Sequence, residues 1–216
     1  MKENFRIEKD SLGLIEVPNE ALWGAQTQRS IQNFSIGDEL VPIKLIHAIA
    51  LIKKAAAIAN FKLGLLDKEK KELIVEISSE ILSGIYDDHF PVKIWQTGSG
   101  TQTNMNVNEV ISNVASMKTK SKIGGHYPLH PNDDINKSQS TNDTFPAAIH
   151  ISLIDDINKQ LLPAIQNLKN EFDFKSKQWK EIIKIGRTHF QDAVPISCGQ
   201  EISGWSHQLE DAKVSI

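Results

Sequence analysis

Thiol is scarce in this sequence: one cysteine, Cys198, stands in 216 residues, so no internal disulfide can form and no multi-cysteine zinc site can be built. That usage fits a reducing compartment, with Cys198 expected to be a small buried near-hydrophobe. Charge of one sign is scarce as well. The 24 Lys and Arg against 27 Asp and Glu leave a formal net charge of −3, with no global basic excess to draw the chain to a phosphate backbone or an anionic membrane. Long apolar runs are missing. The longest apolar-rich stretch, Leu45 to Ile58, is broken by His47 and by Lys53-Lys54, which would be costly in hydrocarbon, so no membrane span is expected. The amino end, Met1-Lys2-Glu3-Asn4-Phe5-Arg6, has no apolar stretch behind its charges and reads as neither a signal nor an obvious transit peptide. There is no internal repeat, low-complexity tract or Pro- or Ser-rich linker. The hydrophobic share, 40%, is ample for at least one buried core, in one or two domains.

The residues that are present read mostly as helix. Arg6 to Pro18 predicts two short strands around an Asp-Ser-Leu-Gly turn, the one hairpin expected. Leu45, Ile49, Ile52, Ala56, Ala59 and Leu63 step by fours and threes along one predicted helical stripe, with Lys53, Lys54 and Lys62 mostly off it. A second helix is predicted from Asp67 as cap through Leu73, Ile74, Ile77 and Ile81 to Gly84, and a third carries Val107, Val110, Ile111, Val114 and Met117. The longest pattern opens at Asp143 as cap, with Pro146 in the first turn, and is expected to bury Ile154, Ile157, Leu161, Ile165, Leu168 and Phe172. Pro163 lies inside it and is expected to bend or split the helix. A last stripe, Ile202, Trp205, Leu209, Ala212 and Ile216, runs to the final residue without a stop signal. This suggests a piece of something longer, and the helices are expected to find cover from helices elsewhere, other copies of the chain among them.

Three polar segments concentrate small hydroxyl and amide side chains beyond the needs of a solvated turn: Trp95–Asn106, Leu129–Asp143 and Ile185–Asp192. Two run straight into predicted helices, where free N–H groups and hydroxyls at the positive end of the helix dipole can seat a carboxylate or phosphate. Gly98-Ser99-Gly100-Thr101 lacks the Gly-Lys-Ser/Thr of a phosphate loop and the third glycine of a dinucleotide fingerprint, leaving a capping turn or an anion seat. His130-Pro131-Asn132-Asp133-Asp134 has ligand-type residues but no zinc or calcium spacing, so no metal is expected and an Asx turn with a helix cap is the plainer reading. Arg187-Thr188-His189 is the best candidate for titratable chemistry, because histidine changes charge near neutral pH and a threonine hydroxyl can orient an oxyanion. A lone loop histidine is more often a structural or surface group, and the other six histidines keep that reading, with His130 partly excepted.

Together these segments resemble the class II fumarases of the fumarase/aspartase superfamily. The likeness covers essentially the whole chain: Arg6-Ile-Glu-Lys-Asp-Ser-Leu-Gly, Leu22-Trp-Gly-Ala-Gln-Thr-Gln-Arg29-Ser, Trp95 to Glu109, His130 to Asp143, Gly186-Arg-Thr-His-Phe-Gln-Asp-Ala-Val-Pro195 and Gly199-Gln-Glu-Ile-Ser-Gly-Trp205, in that order. The resemblance implies a mainly α fold: a small N-terminal hairpin with a helical domain over 1–139, then the start of a long-helix bundle over 140–216. It implies reversible hydration of fumarate to L-malate in the tricarboxylic acid cycle, without metal or organic cofactor, by a homotetramer in the cytoplasm or, after processing, the mitochondrial matrix. Ser99, Gly100 and Thr101, with Ser140, Thr141, Asn142 and Thr188, would hold the substrate carboxylates, and His189 would move a proton through a bound water. His130, Pro131, Asn132 and Asp133 match the family's second dicarboxylate site.

Some positions depart from that pattern. The arginine that serves the second site has no counterpart in Gly125-His126-Tyr127, and Ser140-Thr141 replaces the two serines usual in fumarases with the Ser-Thr usual in aspartases. Threonine keeps the hydroxyl and narrows its rotamers. Family chains are about twice as long, and their later half carries the loop serine, lysine and asparagine that complete the site, so the 216 residues alone are expected to be inactive. An aspartate ammonia-lyase-like enzyme and a non-catalytic helical dicarboxylate-binding or assembly module are the alternatives.

Overall fold

In the computed structural model residues 4–216 are described. The reading of the amino end rests partly on Met1-Lys2-Glu3, which lie outside the described residues. The chain divides into two compact units, Met1–Ser152 and Leu153–Ile216.

The first unit opens with the expected hairpin. Strands β1 (Phe5–Asp10) and β2 (Gly13–Pro18) pair antiparallel from Phe5↔Pro18 to Asp10↔Gly13. Asp10 Oδ1 accepts the Leu12 N–H at 2.9 Å, and Gly13 takes φ 114°, a value that favours glycine. Arg6 gathers the chain that follows, donating to the carbonyls of Pro18, Ala21 and Trp23 at 2.6–2.8 Å.

Four helices complete its core: α1 (Ala25–Asn33), α2 (Ile43–Lys62), α3 (Lys68–Leu82) and α4 (Thr101–Lys118). Helix α3 starts as expected, with Asp67 Oδ1 accepting the Lys70 N–H at 2.8 Å, and Gly84 follows it at φ 85°. Every residue of α4 from Thr103 to Ser116 is buried, so four asparagines and a glutamate join the apolar stripe inside. The carboxylate of Glu109 repays its burial by accepting the N–H groups of Gly24, Gln26 and Thr27 at 2.8–3.1 Å, and with Glu8 Oε2 taking the Ala25 N–H at 3.0 Å the free donors at the start of α1 are satisfied. Burial pushes the Glu109 carboxyl up, against the pull of these donors.

Helix α2 corrects the expected stripe. Its buried side is Ile46, Ile49, Ala50, Lys53, Ala57 and Asn60, whereas Ala59 and Leu63 are exposed. The helix is rotated because Lys53, expected on the wet side, turns inward to polar partners from a distant segment.

Helix α5 (Thr141–Asp156) begins two residues before the expected Asp143 cap. Ser140 is the residue that caps it, its Oγ accepting the Asn142 N–H at 3.2 Å. Pro146 therefore sits inside the helix rather than in its first turn.

In the second unit a π-helical turn, Ile157–Leu161, leads into α6 (Leu162–Gln178) and places Pro163 at its start. The proline divides the pattern as expected. Strands β3 (Ile183–Thr188) and β4 (Gln191–Ser197) follow as an antiparallel hairpin, then α7 (Cys198–Ser215), opened by a capping box between Ser197 and Gln200.

This second hairpin was not expected, since the turn His189-Phe190 lacks the Asn-Gly or Asp-Gly signal. Both residues nevertheless take positive φ, 50° and 59°, as the tight two-residue turn requires. No residue of α6 is buried, and along the expected stripe Ile154 at the end of α5, Leu161 in the π-helical turn and Leu168 on α6 are about half exposed. On α7, Ile202 and Ser206 are buried while Trp205 and Ile216 are open. Two helices and a hairpin present too little surface to cover both stripes. Cys198 is half-buried at the start of α7 rather than enclosed.

Candidate functional site

Two of the three polar segments meet. The segment Gly98-Ser99-Gly100-Thr101 ends at the first residue of α4, and Ser140-Thr141-Asn142 at the start of α5. Gly100 takes φ 72°, and a Cβ there would lie 2.3 Å from the ring of Phe145 on α5. Only glycine fits a left-handed position against an aromatic face. Asn104, one turn into α4, donates through Nδ2 to Thr141 Oγ1 at 3.0 Å.

The amino ends of both helices thus converge, bringing two positive dipole ends to one place. Gly100 brings no capping side chain to α4, and of the free N–H groups in its first turn Thr103 donates to Gln96 Oε1 at 3.2 Å. The mouth of the helix carries exposed hydroxyls, with Ser99 Oγ 3.0 Å from Thr101 Oγ1 and 3.3 Å from Thr97 Oγ1. Ser140 and Asn142 are exposed beside a half-buried Thr141. Such a seat, rich in directed donors, suits a small polyanion, and an intermediate with extra negative charge on a carboxylate would be held by donors already aimed at it.

A cleft of about 220 Å³ next to this seat is lined by Asp10, Gln26, Arg29, Thr101 and Met105, among others. Arg29 offers no open cation there: it is engaged by both carboxylate oxygens of Asp10 at 2.6 and 2.9 Å and by the Gly13 carbonyl. Hydrogen bonding to Arg29 holds the Asp10 carboxyl below its usual range.

His130, Pro131, Asn132 and Asp133 form a different structure. His130 caps a π-helical turn, Pro131–Ile135, its Nδ1 accepting the N–H groups of Asn132 and Asp133 at 3.3 and 3.2 Å. The His126 ring stands edge-on to it, centroids 4.9 Å apart. Burial and the neighbouring His130 lower the His126 pKa. The plainer expectation for this segment, a turn with a cap, describes its hydrogen bonds.

Thr188 and His189 lie in the second unit, at the end of β3 and in the hairpin turn. Both are exposed, and among the described residues nothing hydrogen-bonds the His189 ring. Among the described residues no three His, Cys, Asp or Glu side chains stand close enough to hold a metal ion.

Four side chains around the seat were not singled out in the sequence: Lys53, Asn104, Asn136 and Gln139. Lys53 Nζ donates to Asn136 Oδ1 at 2.8 Å and to Gln139 Oε1 at 3.0 Å, and Asn136 Oδ1 also accepts from Asn104 Nδ2 at 3.1 Å. Asn104, Asn136 and Gln139 fall within the polar segments. Lys53 had no signal beyond its place in an apolar helix.

The sequence pattern of the lyase family matches residues 13–216. The chain belongs to that lyase family. A class II fumarate hydratase of Prochlorococcus marinus subsp. pastoris is 67% identical over 213 residues, 99% of this lyase chain and 46% of the relative. A crystal structure of recombinant class II fumarase from Schistosoma mansoni superimposes with a TM-score of 0.93 at 45% identity, covering 98% of this chain and 44% of that one. A fumarate lyase:delta crystallin from Brucella melitensis gives the same TM-score at 41% identity, covering 98% and 49%. The lyase chain therefore has the fumarase/delta-crystallin fold and spans just under half the length of these relatives.

Proposed function

We propose that this lyase chain is the amino-terminal, substrate-holding part of an enzyme that adds water reversibly across fumarate to give L-malate. The observation that carries the reading is the convergence of the α4 and α5 amino ends on one hydroxyl-lined seat, in a chain 67% identical to a fumarate hydratase. Ser99, Gly100 and Thr101 present backbone and hydroxyl donors to one part of the dicarboxylate, and Ser140, Thr141 and Asn142 to another, with Thr188 adding a hydroxyl. His189 exchanges a proton through a bound water. Its exposed ring, on a turn that leaves both nitrogens free, can serve in either direction.

Hydration needs a proton moved at one carbon and water added at its neighbour. The charge that gathers on a carboxylate between these events is stabilised by the two helix ends. Residues 1–139 form the first domain and 140–216 begin a central helical domain, whose half-exposed stripe on α6 is covered in a homotetramer. His130, Pro131, Asn132 and Asp133 supply a second dicarboxylate site, to which Gly125-His126-Tyr127 brings no arginine. The setting is the tricarboxylic acid cycle in the cytoplasm.

Joining residues 1–216 to the remaining half of the Prochlorococcus relative gives a chain on which the reading can be tested. It predicts consumption of fumarate and formation of L-malate. A folded, assembled product that leaves fumarate untouched contradicts it, and turnover of aspartate to fumarate and ammonia would favour the ammonia-lyase alternative.

A further inference from the structure

Lys53 is among the largest fully enclosed side chains in the structure. A buried ammonium is expensive, and two neutral amide oxygens compensate it only in part. Among the described residues no carboxylate pairs with it, and burial pushes its pKa down to about 7. A methionine would fill the same channel without that cost, so the amine is held there by what it does to its partners.

Those partners lead to the seat. A lysine amine bound this way donates, so Asn136 and Gln139 must turn their oxygens toward it. Their NH₂ groups are then directed elsewhere, Asn136 Nδ2 to the Gln139 carbonyl at 3.2 Å and Gln139 Nε2 to the Ile135 carbonyl at 2.9 Å. With its oxygen fixed, Asn136 can receive only a donor from Asn104, which it does. Asn104 must then present the same NH₂ group to Thr141 Oγ1. The buried Asn104 Oδ1 is left without a partner. A flipped Asn104 would have satisfied that oxygen on the Thr141 hydroxyl, at the expense of taking its proton. The orientation present keeps that proton free.

We infer that Lys53 is a positioning residue for the substrate: by donating into Asn136 and Gln139 it fixes the direction of the Asn136–Asn104–Thr141 hydrogen-bond chain, so that the Thr141 hydroxyl gives its proton to a dicarboxylate. The inference rests on the reading that Thr141 binds a substrate carboxylate.

The test is a double-mutant cycle in the completed chain, with Lys53→Met, Thr141→Val and the pair, read as KM and kcat for fumarate. Lys53→Met is expected to raise KM about tenfold with kcat changed less than about threefold, and to raise it less than about twofold once Thr141 is valine. Equal increases in both backgrounds, or none in either, overturn the role of Lys53. If Thr141→Val alone leaves KM unchanged, the reading of the seat fails and this inference falls with it, whereas an effect of Thr141→Val with none of Lys53→Met removes only the latter. Should Lys53→Met fail to fold, Asn136→Leu at its half-buried position cuts the same chain, and the same rise, lost with valine at 141, is required of it.

Discussion

Thr141 Oγ1 accepts a hydrogen bond from Asn104 Nδ2 at 3.0 Å. An Asn104 amide donates across to the helix end that carries Ser140 and Asn142, so the threonine oxygen already accepts one hydrogen bond and its proton is left over. Thr141→Val, which keeps the shape and removes the hydroxyl, is predicted to raise KM for fumarate about 10- to 100-fold in the completed chain, the worth of one hydrogen bond to a charged group. Thr141→Ser is predicted to stay within about threefold. Steady-state kinetics on the two variants checks both.

Gly100 couples the two helices sterically. A Cβ there meets the Phe145 ring at 2.3 Å on a backbone with φ 72°, so Gly100→Ala combines overpacking with left-handed strain. The variant is predicted to lose roughly 2–4 kcal/mol, measured as the shift in urea unfolding of the 216-residue chain. An unshifted midpoint contradicts the close approach of α4 and α5.

The burial of Lys53 has a pH signature. Its folded-state pKa is about 7 against an ordinary 10.5, so between these values the unfolded chain takes up a proton that the folded chain refuses. The lysine's contribution to stability is whole above pH 10.5 and is lost progressively as the pH falls to 7. Lys53→Met removes this dependence. The stability of wild type relative to the variant is predicted to rise by about 3 kcal/mol from pH 7 to pH 10, read by urea unfolding at each pH. A difference that is flat with pH places the lysine in water.

His189 stands on a tight turn whose two central residues take positive φ. His189→Asn in the completed chain is predicted to lower kcat by about 10²-fold or more while moving KM less than about threefold, because its role lies in proton transfer. An unchanged kcat removes it from the mechanism.

Legibility followed the range of the interactions. The cap at Asp67, the stripe Ile74, Ile77 and Ile81, and the hairpin around Leu12 are local, and the sequence announced each of them. The hydroxyl segments at Ser99 and Ser140 were legible because small donors ran directly into helix starts. The phase of α2 was not, since what turns it is the bond from Lys53 to Asn136, 83 residues away, and nothing near Lys53 signals a polar partner. The β3–β4 hairpin escaped because His189 and Phe190 adopt a conformation usually left to glycine and asparagine. The apolar stripe that runs into α6 was legible from its spacing, and it lies open in the single chain.

Fumarate hydration by this fold is read from the loss of fumarate absorbance, followed with the 216-residue chain alone and with the same residues joined to the later half of the Prochlorococcus relative. The chain alone is expected to cause no loss of absorbance, and the joined protein a steady loss balanced by L-malate. A joined protein that folds and assembles yet leaves the absorbance unchanged would contradict the hydratase reading.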